Sequence, residues 1–134
     1  MTTIGRRGFL AGAAGAVVAL VTPLRRAFGS TPAGPFGAGA IVPRYFSDAG
    51  AAARIGGAYL AGVPEEGDVD LLLAALTPAG ETPAQWWAGV TIPELQDTVR
   101  TQAHADFAAG HVVDLAGWQL ARTEARLAAL STLL

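Results

Sequence analysis

Apolar positions recur at helical spacing through most of the chain beyond residue 47. Val69, Leu72, Leu73 and Leu76 fall at i, i+3, i+4 and i+7, which predicts a helix from about Glu65 or Asp68 to Leu76. Glu65, Glu66 and Asp68, with Asp70 just inside, suit the positive end of its dipole, and Thr77-Pro78-Ala79-Gly80 stops it. Upstream, Ala52, Ile55 and Tyr59 predict a helix from about Asp48 to Leu60, with Ser47 as N-cap and Gly62-Val63-Pro64 as its end. Gly56-Gly57 inside that helix costs about 2 kcal/mol relative to two alanines. The pair therefore predicts either a very close helical neighbour or a bend.

Thr91-Ile92-Pro93-Glu94 reads as a capping box, with Thr91 at N-cap and Glu94 at N3. The helix it opens is predicted to run to Ala109 and close at Gly110. Ile92, Leu95, Val99, Ala103 and Phe107 form its expected buried face, and Glu94, Asp97, Thr101 and His104 its solvent face. After Gly110 the period changes from helical to alternating. Val112-Val113 and Trp118-Gln119-Leu120 predict two short strands around Asp114-Leu115-Ala116-Gly117, with Asp114 first and Gly117 fourth in a type I turn. A last helix is predicted from Arg122 to Leu133, with Leu127, Leu130 and Leu134 towards the core. Two stretches lack a clear pattern. Ser30 to Pro43, rich in Gly, Pro and Ala, reads as a flexible signal end and linker, and Glu81 to Val90 as an irregular segment carrying Trp86-Trp87. The expected fold is mainly α: a small bundle of about four helices with one short β-hairpin before the last helix.

The first residues follow a different logic. Thr3-Ile4-Gly5-Arg6-Arg7-Gly8-Phe9-Leu10-Ala11 resembles the twin-arginine export consensus, Ser/Thr-Arg-Arg-x-Phe-Leu-Lys. Arg6, Arg7, Phe9 and Leu10 match; Gly5 replaces the hydroxyl residue and Ala11 the lysine. An apolar stretch, Pro23 and then Arg25-Arg26 follow, as is typical of such signals. Ala38-Gly39-Ala40 supplies an A-x-A cleavage pattern, with Ala27-Phe28-Gly29 as a weaker earlier site. The alternative is an uncleaved anchor. Gly8 to Leu24 is 17 residues, or roughly 25 Å as helix against a hydrocarbon core of about 30 Å. The expected organisation is a signal peptide and linker over 1–40 and a small helical domain over 41–134. The signal directs the chain out of the cytoplasm through the twin-arginine translocase, with membrane contact only through the signal segment.

Charge sharpens this division. Of nine arginines, four lie in the leader; the remaining five face eleven carboxylates, a formal charge of −6 without a lysine. Such a domain is a poor partner for phosphate backbones or anionic lipid, so nucleic acid is excluded as a partner. With no cysteine, disulfides, thiolate zinc sites, iron–sulfur ligation and covalent haem attachment are excluded.

Little else suggests chemistry. His104 and His111 are the two histidines, and Asp106 and Asp114 would complete a metal set by residue type. Gly110 interrupts the spacing, and no metal site is expected. Asp106 falls on the flank of an apolar helix face, where a carboxylate needs a partner. Arg122, Arg126 or hairpin amides would make it a structural clamp. Trp86-Trp87 reads either as a contact for a partner or ligand or as a cap on an alanine-rich core, with one ring inside and one partly exposed. Ser30, Ser47 and Ser131 sit in no nucleophile elbow. No phosphate loop or dinucleotide fingerprint occurs, so no catalytic residue and no cofactor are expected.

A twin-arginine leader ahead of a short, cysteine-free helical body resembles the small subunits of membrane-associated flavin dehydrogenases, of the gluconate 2-dehydrogenase subunit 3 and sorbitol dehydrogenase small-subunit type. The tail from Asp106 through Gly117-Trp118 to Leu127 resembles that of small twin-arginine proteins without an assigned activity. The first resemblance implies an exported, periplasmic or extracytoplasmic accessory subunit that binds and escorts a folded, cofactor-bearing oxidoreductase. A free-standing extracytoplasmic binding domain using Trp86 and Trp87 is the alternative. A small enzyme built on Asp106 and a histidine comes third.

Overall fold

Six helices and one antiparallel hairpin build the fold seen in a computed structural model, which describes residues 35–115 and 117–134. The helices are α1 (Ala38–Tyr45), α2 (Ala49–Gly62), α3 (Val69–Leu76), α4 (Pro83–Gly89), α5 (Ile92–Ala109) and α6 (Arg122–Leu133). Strands β1 (Val112–Leu115) and β2 (Trp118–Ala121) lie between α5 and α6, as expected for a mainly helical domain with a hairpin before its last helix. None of the described helices is long and apolar enough to cross a membrane. Arg6, Arg7, Phe9 and Leu10 lie outside the described residues.

Helix α6 is the centre of the bundle. Ala125, Leu127, Ala128, Ala129 and Leu130 are all buried, and the helix packs against α1, α2, α3 and α5. Its small residues let neighbours approach closely, and α2 does so at Gly56. The Gly56-Gly57 pair thus marks a tight helix crossing. Leu72, Leu73 and Leu76 of α3, with Leu95 and Val99 of α5, complete the core on the stripes read from the sequence.

Helix ends follow local capping chemistry. Asp48 rather than Ser47 is the N-cap of α2: its Oδ1 accepts from the Ala51 amide at 2.9 Å, and the helix continues to Gly62. Asp68 caps α3 in the same way at 3.0 Å. The Thr91–Glu94 capping box is present in both directions, and Gly110 closes α5 at φ +76°.

Several expectations are corrected. The stretch read as linker contains a 3₁₀ turn (Pro35–Gly37) and α1, whose Ala38, Ile41 and Val42 are buried in the core. A boundary at residue 40 therefore falls inside a helix. The segment read as irregular forms α4, capped by Thr82 with Pro83 in its first turn. Phe107, expected on the buried face of α5, is 52% exposed. Leu134 follows the end of α6 and is also exposed. In the hairpin, Leu115 pairs with Trp118 and Asp114 with Gln119, leaving positions 116 and 117 as the connection. Asp114 is thus a strand residue, not a turn residue. Gly117, at φ +83°, occupies the third turn position, where a left-handed backbone is required.

Candidate functional site

The hairpin places the most exposed large apolar side chain described. Its base is tied by the His111 amide donating to the Asp106 carbonyl at 2.8 Å, and by the Arg122 amide donating to the His111 carbonyl at 3.0 Å. Alternation along the strands puts Val113, Leu115, Trp118 and Leu120 on one face. Leu115, Trp118 and Leu120 face Ala51, Ile55 and Ala58 of α2 across a groove of about 400 Å³, with Arg54 as the charged residue in its lining. Leu115 and Leu120 are half-buried, whereas Trp118 is 73% exposed. An indole held out on a braced ribbon, above an apolar groove, is the arrangement of a binding anchor. Strand alternation predicts Trp118 within β2, without a role. Its position beside the turn, at the end of the paired register, is the available signal.

Trp86 and Trp87 divide between surface and core. Trp87 is 2% exposed, and its Nε1 donates to the Leu73 carbonyl and to Thr77 Oγ1, both at 3.2 Å. Trp86 is half-buried and meets it edge-on, with ring centroids 4.7 Å apart. Burying an indole requires an acceptor for its N–H, and the end of α3 provides two. Trp87 thus fastens α4 to α3, and Trp86 alone of the pair presents ring surface outward.

A second set of polar side chains was not anticipated as a unit. Arg126 of α6 donates through Nε and Nη2 to the two carboxylate oxygens of Glu66, at 2.9 and 2.6 Å. Tyr59 Oη donates to Glu66 Oε2 at 2.6 Å. The paired guanidinium, aided by the phenol, holds the Glu66 carboxyl at about 2. Burial and the same hydrogen bond push the Tyr59 phenol up to about 12. From the sequence Glu66 is one of several acids favouring a helix start; its partner lies 60 residues away, beyond the reach of local pattern.

Asp106 is a clamp, but not to arginine. Its Oδ2 accepts from the Thr123 amide at 2.7 Å and from Thr123 Oγ1 at 2.6 Å. Ala121, at the N-cap of α6, has no side-chain oxygen, so a carboxylate from α5 caps the helix instead. Arg126, one of the arginines expected to pair with Asp106, is engaged by Glu66 instead. His111 Nδ1 stands 3.9 Å from Asp106 Oδ1, on an exposed ring. A shallow groove of about 730 Å³ beside Phe107 is lined by Tyr45, Arg100, His104 and Glu124. Arg100 pairs there with Asp97 at 3.0 Å, and Glu124 accepts from the Ala121 amide at 3.1 Å. Among the described residues, no group of three His, Asp or Glu side chains gathers as a metal ion would require.

The cleavage candidates Ala38 and Ala40 both lie in the first turn of α1, Ala38 fully buried and Ala40 exposed. Comparison with protein-family models, with characterised proteins and with solved structures gives no match.

Proposed function

We propose that this chain is an exported, non-catalytic accessory subunit that binds a larger folded protein through the hairpin–α2 groove. The observation that carries this reading is Trp118, 73% exposed above an apolar groove. Such a side chain is costly to leave in water and is the residue type that most often dominates a protein interface. The hairpin is braced at its base by Asp106 and His111, so the anchor is presented on a rigid support and loses little freedom on binding. The candidate acid Asp106 has a structural duty, as the cap of α6. The leader, read as a twin-arginine signal, supports a partner that folds before transport. The resemblance to dehydrogenase small subunits supports a cofactor-bearing oxidoreductase as that partner.

The test is affinity purification of the C-terminally tagged full chain from extracytoplasmic and membrane fractions, with mass spectrometry and a flavin absorbance scan. A stoichiometric folded partner is expected with the wild type. It should be lost with Trp118→Ala at unchanged circular dichroism. A lone, colourless monomer in both cases would sink the accessory role.

The groove also supports a second reading, that of a free-standing small-molecule binding domain. About 400 Å³ with apolar lining and one charged residue lies within the usual size of ligand sites. This alternative moves the aromatic contact from the tryptophan pair at 86–87 to Trp118.

A further inference from the structure

The bond at which the leader is removed can be narrowed by what α1 does. A leader peptidase requires small residues at the third and first positions before the bond, and it reads the chain in extended form. Ala38-Gly39-Ala40 meets the first requirement and fails the second. These residues form the opening turn of α1, with Ala38 fully buried and Ile41 and Val42 in the core directly after them. Extending them would withdraw all three apolar side chains from the domain.

The turn before α1 is also held. Gly37, at φ +91°, sits where a β-carbon would lie 3.2 Å from the Trp87 carbonyl oxygen. Trp87 is itself anchored to the end of α3. The chain is thus packed from Gly37 onward, and a domain that folds before transport presents α1 to the peptidase already docked.

We infer that the leader is cut N-terminal to Pro35, and that Pro35–Tyr45 stays with the mature domain as its first structural element. The pattern Ala27-Phe28-Gly29, outside the described residues, lies on the permitted side. Cleavage there leaves residues 30–34 ahead of Pro35 on the mature chain. Water adds across the amide, leaving a carboxylate on Gly29 and a new amino group on Ser30. The inference rests on the export reading above.

The experiment is amino-terminal sequencing and intact mass of the C-terminally tagged full chain, recovered separately from cytoplasmic and extracytoplasmic fractions. The exported form is expected to begin at Ser30, or elsewhere before Pro35. Ala40→Leu, which places a larger side chain on an exposed helical position, is expected to be processed like the wild type. Ala27→Leu combined with Gly29→Leu is expected to accumulate at full length. An exported chain beginning at Ile41, or one whose processing fails with Ala40→Leu, would overturn the inference. So would an exported chain that keeps Met1, although export itself would then stand. A chain found solely in the cytoplasm would instead overturn the export reading on which the inference depends.

Discussion

Gly56 of α2 occupies a position where a β-carbon would lie 2.6 Å from the backbone carbonyl carbon of Ala128 in α6. Neither backbone can give way without shifting its helix. Gly56→Ala is therefore expected to destabilise the domain by about 2–4 kcal/mol, despite the better helix propensity of alanine. Gly89→Ala, at the end of α4 with open space around it, should instead be neutral or stabilising by about 0.5 kcal/mol. Paired denaturation curves check the contrast; equal effects would show that the crossing is looser than described.

The Glu66–Arg126–Tyr59 set should give the domain stability limits at both ends of the pH scale. Folding holds Glu66 at about 2, against 4.5 for a free side chain. Its contribution is complete above pH 4.5 and disappears as pH falls towards 2. Tyr59 behaves in the opposite sense: with its phenol at about 12 instead of 10, its contribution holds below pH 10 and is lost as pH rises towards 12. The pair retains some solvent contact, with side chains 15% and 23% exposed for Glu66 and Arg126. Glu66→Gln is accordingly expected to cost about 1–2 kcal/mol at neutral pH. Urea titrations should show the variant and the wild type converging in strong acid.

Asp106 and Thr123 should behave as one unit. Asp106→Ala leaves the buried Thr123 amide and hydroxyl without their acceptor, and is expected to cost about 1.5–3 kcal/mol. Thr123→Val removes the hydroxyl bond and keeps the amide bond, and should cost about 1 kcal/mol. The double variant should cost clearly less than the two single effects added together. Strict additivity in a double-mutant cycle would mean that the bond between the Thr123 hydroxyl and the Asp106 carboxylate carries no weight.

The three tryptophans should separate by solvent access. Iodide should quench Trp118 readily and leave Trp87 almost untouched, following their exposures of 73% and 2%. Trp118→Ala is expected to change unfolding free energy by less than about 0.5 kcal/mol. Trp87→Ala should cost about 3–5 kcal/mol, because it empties a core site. Fluorescence quenching and denaturation of the two variants decide this directly; a destabilised Trp118→Ala would make the indole a structural brace rather than a free anchor.

What the sequence revealed depended on how local each cause was. The α3 stripe, the Thr91–Glu94 box and the Gly110 stop are written within one or two turns of chain, and all three are present. Helix α4 starts with Thr82-Pro83-Ala84-Gln85, whose cap resembles that of α5. Its seven residues are too few to show a period. Helix α1 was hidden by Gly, Ala and the interior Pro43, residues that predict a linker; burial of Ala38, Ile41 and Val42 by the rest of the domain overrides that preference. The position of Asp106 on the flank of an apolar face predicts a partner, but which group of α6 comes within reach depends on how α5 and α6 pack, and that group is the amide and hydroxyl of Thr123. The alternation places Trp118 in a strand, whereas its exposure depends on how the ribbon packs beside α2.

The position of α6 in the order of synthesis has a consequence for when the domain can fold. This helix follows every other described element, yet α1, α2, α3 and α5 all pack on it. Until residues 122–133 have been made, the earlier helices have exposed apolar faces and no common surface on which to gather. At the usual pace of translation, of the order of ten residues per second, the earlier helices wait several seconds for it. Folding is thus a late, nearly all-at-once event. A chain interrupted before this helix has nothing to close its core, so loss of the last dozen residues should cost the whole fold and not one element of it.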